Sequence, residues 1–336
     1  MVSNKMDGKN GMRGNRAGSI TYIKELGNRA FRMGGILCLT ALFLFCMAGC
    51  GTTKKDSSMG LGKKTEEVKK EASGETDTSE TKKRMVTTED VLQKDYSALS
   101  QKYNSWWFKR NMDHLPSGAQ EEFDIGQYRA FYLDTSAMKG KTVNKVIYLT
   151  FDCGYDNGYT EPMLDVLKKH KAKATFFVTQ TYIRDSTEIV KRMKEEGHMV
   201  GNHTITHPNL CEASVEKIRE EIVGCQEYMK EATGYDMDMY FRPPKGEYSE
   251  YLLQVAKDLG YTTVFWSMAY LDYDVNNQPS VDHVIEHWQK YYHPGAIPLI
   301  HNVSSANATA LDTVLTNLEK EGYHFGTLDE IALSGE

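Results

Sequence analysis

The chain has 336 residues, enough for one large domain with appendages or for two ordinary ones. With 40% hydrophobic, 11% aromatic and 26% charged residues, it has the composition of a globular protein with a sizeable core. The net charge is −6, and residues 1–50 alone carry +5, leaving −11 for the remainder. So acidic a body excludes a nucleic-acid binder, which needs a basic face.

The apolar run 34–49 is preceded by Lys24, Arg29 and Arg32 and ends in small residues, the pattern of an export signal. It is shorter than the roughly 20 residues a spanning helix needs. Its ending, Met47-Ala48-Gly49-Cys50, resembles a bacterial lipobox. That implies lipidation of Cys50 and a chain anchored by lipid on the cell-wall side of a bacterial membrane. Residues 51–95 contain no aromatic and no isoleucine and are dense in Lys, Glu, Ser, Thr and Gly. Such a stretch cannot bury enough apolar surface to offset its ordering entropy, which predicts a disordered, charged tether. Residues 96–143 are rich in aromatics, among them Tyr96, Trp106, Trp107, Phe108 and Tyr132, and predict a folded extension packed on the main domain.

From 144 to 331 short apolar runs alternate with amphipathic stretches. Strands are predicted at 146–151, 174–179, 198–201, 238–241, 262–266 and 296–300. Helices are predicted at about 160–170, 186–196, 214–232, 248–259, 281–292 and 305–321. The alternation implies a mainly parallel sheet, closed as a barrel or left open. In parallel barrels chemistry belongs at the C-terminal strand ends. The polar clusters of this chain fall there.

Asp152 ends the first run; alone, an Asp at that place is more often a turn cap than a catalyst. After the third run comes His203-Thr204-Ile205-Thr206-His207-Pro208. Its imidazoles at i and i+4 can converge on one cation from a single closing turn. Arg242-Pro243-Pro244-Lys245-Gly246 follows the fourth run, a stiff backbone suited to a guanidinium that holds a carboxylate in place. The fifth run leads through Trp266 to Asp272 and Tyr273, and the sixth ends in Leu299-Ile300-His301.

The order and types of these five clusters resemble the polysaccharide deacetylases, the NodB-homology domain of carbohydrate esterase family 4. Within that family the chain is most similar to the branch that deacetylates muramic acid to prepare the spore-cortex δ-lactam. The resemblance rests also on Gly154-Tyr-Asp-Asn-Gly-Tyr159, Asn276-Asn-Gln278, His293-Pro-Gly-Ala296 and Trp107-Phe-Lys-Arg110.

It implies a distorted (β/α)7 barrel that hydrolyses the N-acetyl group of a cell-wall glycan, with muramic acid of peptidoglycan favoured over N-acetylglucosamine. Asp152 would be the general base, oriented by Arg242. His203 and His207 would hold a divalent metal, zinc being the first choice. His301 would be the general acid, supported by Asp272. Trp266 and Leu299 would line the acetyl pocket, with Lys245 and Tyr273 at its edge. The expected partner is peptidoglycan and the expected state a monomer.

The chain departs from the family at Cys153, where a second carboxylate usually supplies the third metal ligand. A thiolate is a good zinc ligand. Equally, the thiol can point away and leave a two-histidine site completed by water. A nucleophilic cysteine, a non-catalytic glycan-binding relative, and a glycoside hydrolase using Asp152 and Asp272 are the competing readings. Tyr273 stands where the family commonly has Trp. Asp156, within an Asp-Asn-Gly stretch, reads as a turn residue. The Asn-x-Ser/Thr matches at Asn202, Asn302 and Asn307 read as chance overlaps, and the odd set Cys153, Cys211 and Cys225 as a poor disulfide framework.

Overall fold

The structure is a computed structural model that describes residues 88–331 apart from 111 and 140–142. Cys50, the apolar run before it and most of the expected tether lie outside the described residues. The packed body starts before residue 96. A short helix spans Thr88–Leu92, and Val91 is fully buried against Ile218, Ile222 and Tyr251.

Seven parallel strands form the central sheet. In chain order they are Ala130–Phe131 (β1), Leu149–Cys153 (β2), Ala174–Val178 (β3), Met199–Asn202 (β4), Tyr240–Phe241 (β5), Thr262–Val264 (β6) and Leu299–His301 (β7). Their order in space is β7-β2-β3-β4-β5-β6-β1. The sheet curls into a half-barrel. Beyond β6 the chain continues to Met268, which bridges Pro298 and brings the two ends of the curl together. Six of these strands coincide with predicted runs. The seventh, β1, comes from the aromatic extension, which therefore supplies a strand of the sheet besides packing against it.

The helices return between the strands: Thr160–Lys169 (α1), Gln180–Asp185 (α2), Thr187–Glu195 (α3), Val215–Thr233 (α4), Glu250–Asp258 (α5), Val281–Tyr291 (α6) and Ser305–Lys320 (α7). Ser214, Ser249, Ser280 and Ser304 each accept a hydrogen bond from a first-turn N–H, which fixes where four of these helices begin. Asp156 takes the expected turn role, accepting from Gly158 N and from Thr160 Oγ1. The three cysteines of the main domain are free and buried.

The largest apolar cluster lies between sheet and helices, with Phe151, Phe176, Val200 and Ile300 from the strands and Leu164, Leu311 and Leu315 from the helices. Three histidines are buried in the body outside the candidate site: His198, His287 and His293. Burial pushes each of them down to about 4. An unfolded histidine takes up its proton near pH 6.5, so these groups favour the fold above that pH. Their contribution falls as the pH drops from 6.5 to 4, by about 1.4 kcal/mol per pH unit for each group. The urea midpoint is therefore expected to be clearly lower at pH 5 than at pH 7; equal midpoints would contradict this.

Candidate active site

The C-terminal ends of β2, β4, β5 and β7 converge on one point. Because β7 pairs with β2 in parallel, His301 stands directly opposite Asp152. Strand parity does the rest. Thr150 and Asp152 project to the inside of the curl, and Phe151 and Cys153 project to the helices.

Arg242, wholly buried, is the centre of the inner face. Its guanidinium donates to Asp152 Oδ1 at 2.8 Å, to Thr150 Oγ1 at 2.9 Å, and to the carbonyls of Val264 and Phe265 at 3.0 and 3.2 Å. It lies 4.2 Å from the centre of the Phe177 ring and 5.8 Å from that of Trp266. Burial works against a charge on Asp152, but Arg242, His203 and His301 outweigh it and hold the carboxyl below its ordinary value. The carboxylate is ionised and aimed.

His203 and His207 do not sit on a helical turn. Thr204 and His207 both have left-handed backbone, with φ of 73° and 59°. A tight loop bound from several sides keeps them so. Asn202 Oδ1 accepts from Thr204 N, and Thr204 Oγ1 accepts from His207 N. The buried Glu221 of α4 accepts from Thr206 N at 2.9 Å and from its hydroxyl at 2.8 Å. Lys217 pairs with that carboxylate at 2.9 Å. Glu221 is a functional brace that reads in the sequence as one more surface glutamate of an amphipathic helix.

The two imidazole rings are 4.7 Å apart, centre to centre. Burial lowers the pKa of both, His207 to about 4, so both are neutral near pH 7. His203 Nδ1 meets the Arg242 carbonyl at 2.7 Å and must donate there. Its Nε2 therefore carries a lone pair, and this faces Asp152 Oδ2 at 3.6 Å. The Nε2 lone pair of His203, with the neutral His207 imidazole beside it, is a two-histidine donor set suited to a divalent cation. Cys153 does not join them. It is fully buried among Met163, Leu164 and Tyr182, with its thiol pushed well up by burial, and it faces away from the site. Of the two readings the sequence leaves open at Cys153, strand parity favours the thiol that points away, and no group of three His, Cys, Asp or Glu side chains forms a cation cage among the described residues. Cys153→Ser is expected to leave zinc affinity unchanged while lowering stability by about 1–3 kcal/mol through a buried hydroxyl. Loss of zinc affinity in that variant would restore the thiol as a ligand.

His301 completes the site. Its Nδ1 meets Asp272 Oδ1 at 2.7 Å, and its backbone N–H donates to Asp272 Oδ2 at 2.8 Å. Burial alone would lower its pKa, but the Asp272 carboxylate prevails and raises it. The Tyr273 ring lies edge-on to His301 at 5.6 Å and is largely exposed. Trp266 and Leu299 share one buried cluster with Ala269. Gly246, at φ 68°, passes so close to Trp266 that a Cβ would stand 2.6 Å from its ring, so only glycine fits there. Lys245, left-handed at φ 57°, is exposed beside this contact.

Comparison with known proteins agrees with this geometry. Residues 139–264 match the sequence profile described as polysaccharide deacetylase. The chain is 45% identical over 234 residues to the peptidoglycan-N-acetylmuramic acid deacetylase PdaA of Bacillus subtilis, covering 69% of this chain and 87% of that protein. The solved structure of Bacillus subtilis PdaA, a family 4 carbohydrate esterase, superposes with a TM-score of 0.65 at 44% identity, over 69% of this chain and 98% of that one. A family 4 carbohydrate esterase from Bacillus anthracis superposes with a TM-score of 0.56 at 39% identity, over 70% of this chain and 98% of that one. Similarity of this extent, with the site residues assembled at the strand ends, has one reading: the chain belongs to the polysaccharide deacetylase family.

Proposed function

We propose that this protein hydrolyses the N-acetyl group of peptidoglycan, with N-acetylmuramic acid as its substrate sugar. The observation that carries the reading is the pairing across β2 and β7: an ionised carboxylate, Asp152, opposite a histidine, His301, whose pKa a second carboxylate raises. That is a base and an acid on opposite sides of one small site, which is what amide hydrolysis requires. The muramic acid preference is supported by the likeness to PdaA of Bacillus subtilis.

His203 and His207 would hold a divalent cation, zinc by the chemistry of the donor set. When bound, such a cation lowers the pKa of water toward about 7 and polarises a carbonyl. The protein's own groups do the proton work. Asp152 accepts a proton from the attacking water as its oxygen adds to the acetyl carbon. Arg242 keeps Asp152 ionised and fixes its direction. His301 then gives the proton on Nε2 to the amine nitrogen as the C–N bond breaks, so acetate and a free amino sugar leave. Trp266 and Leu299 would bound the space for the acetyl methyl, and a distorted (β/α)7 barrel is the architecture that fits this arrangement.

The test is acetate release from purified peptidoglycan by the wild-type protein and by His207→Ala. Release that chelator and His207→Ala both abolish supports the reading. Muropeptide binding with no acetate under any divalent metal would favour a non-catalytic glycan-binding relative instead. For the N-terminal segment we propose export and lipidation at Cys50, which would hold a monomeric domain at the membrane's outer face, on a tether. A Cys50→Ser protein that still fractionates with membranes would defeat that.

A further inference from the structure

Behind His301 runs a set of side chains that the proton transfers above do not use. Trp288, on α6, donates its indole N–H to the Tyr270 hydroxyl at 3.2 Å. An indole nitrogen can only donate, so the Tyr270 oxygen accepts there and keeps its own proton for another partner. That partner is Asn307 Oδ1, 2.7 Å away. An amide whose oxygen is taken in this way must present its NH2 on the other side. The NH2 of Asn307 meets Asp272 Oδ2 at 2.6 Å. The backbone N–H of His301 donates to the same oxygen at 2.8 Å. With Oδ2 facing two donors, Oδ1 is left to face His301 Nδ1 at 2.7 Å.

Every hydrogen bond of this set points toward Asp272. We propose that Trp288, Tyr270 and Asn307 form a directional chain of hydrogen bonds that keeps Asp272 an acceptor and fixes a proton on His301 Nδ1. Asn307 is then a positioning residue for the acid, acting through Asp272 without touching substrate. The inference rests on the reading of His301 as the acid and adds how its ring and tautomer are held.

Burial gives the chain its force. Asp272 is 1% exposed, and Asn307 and Trp288 are 3% exposed each. A donor removed from such a place leaves its partner unmet. The groups around Tyr270 do not compete. His287, whose ring is 4.8 Å away, is neutral because burial holds it down to about 4. Burial and the Asp272 carboxylate both push the Tyr270 hydroxyl above its ordinary range, so it remains a donor at any working pH.

The experiment compares wild type with Asn307→Ala and Tyr270→Phe. Each is assayed for acetate release and, labelled with 15N-histidine, examined by NMR, with His301→Gln used to assign the His301 signals. The expected result is a fall in kcat of about 10–100-fold in Asn307→Ala at nearly constant KM, the scale typical of lost outer partners. His301 is expected to keep Nδ1 protonated in wild type at every pH, so that only Nε2 gains and loses a proton, and to show mixed neutral forms in the variant. Tyr270→Phe, which lets the Asn307 amide turn over, is expected to move both readouts the same way by less. Should Asn307→Ala fail to fold, Tyr270→Phe, which loses one oxygen, carries the test. Folded variants with wild-type kcat and wild-type His301 signals would overturn the proposal. Signals that shift in the variants of a protein releasing no acetate would uphold the chain and remove the deacetylase reading.

Discussion

Asp152→Asn is expected to lower the rate of acetate release by about 10²–10⁴-fold, the contribution of a positioned general base. Asparagine keeps the shape of the side chain and can still accept from Arg242 through its oxygen. What it loses is the ability to take a proton. The position of Asp152 makes the effect large. It is 7% exposed, ion-paired to Arg242 at 2.8 Å, and directly opposite His301 in the register of β2 and β7. No other carboxylate is bound by Arg242 in the described structure, so none stands ready to replace it. Acetate release measured alongside a melting curve separates chemistry from folding. Activity within tenfold of wild type, in a folded protein, would remove Asp152 from the role of base.

Arg242→Met should do more damage, and of two kinds. The residue is 0% exposed, and four hydrogen bonds depend on its guanidinium, one of them the ion pair with Asp152. Removing one member of a buried ion pair costs about 3–5 kcal/mol, because the other charge is left uncompensated. The second consequence concerns pH. Without Arg242, only His203 and His301 are left to offset burial, so the Asp152 carboxyl rises from its wild-type position and a smaller fraction is ionised at a given pH. Any activity left in the variant should therefore rise toward more alkaline pH than in wild type. Arg242→Lys would keep a charge but lose the planar fork that reaches Asp152, Thr150 and Phe265 together. A variant as stable as wild type, with an unchanged pH profile, would contradict the assignment.

The catalytic end of this fold was legible in the sequence because each of its parts ends an apolar run. Runs at 146–151, 198–201, 238–241 and 296–300 became β2, β4, β5 and β7, and the polar residues that follow them, Asp152, His203, Arg242 and His301, meet at one mouth. At Cys153 the strand itself chooses between the two readings. Neighbouring residues of one strand point to opposite faces, so with Asp152 inside, Cys153 had to face the helices. Other features carried no readable pattern. β1 is two residues long, Ala130–Phe131, too short for any periodicity to announce it. Val91 is one of a few scattered apolar residues in a charged stretch, and only its place in the cluster with Ile218 and Ile222 makes it part of the core. Glu221 and Asn307 lie on helices whose sequences look ordinary. Their importance comes from what faces them, Thr206 in one case and Asp272 in the other. Asn307 stood out in the sequence only as a chance glycosylation match. Its meaning is tertiary.

The central claim is that this site removes acetyl groups from muramic acid in peptidoglycan. The direct measurement is mass spectrometry of muropeptides after incubation with the purified protein, with and without chelator. The proposed function predicts loss of one acetyl group from muramic acid residues in the untreated sample and no loss in the chelated one. Muropeptides that keep every acetyl group in both samples would contradict it.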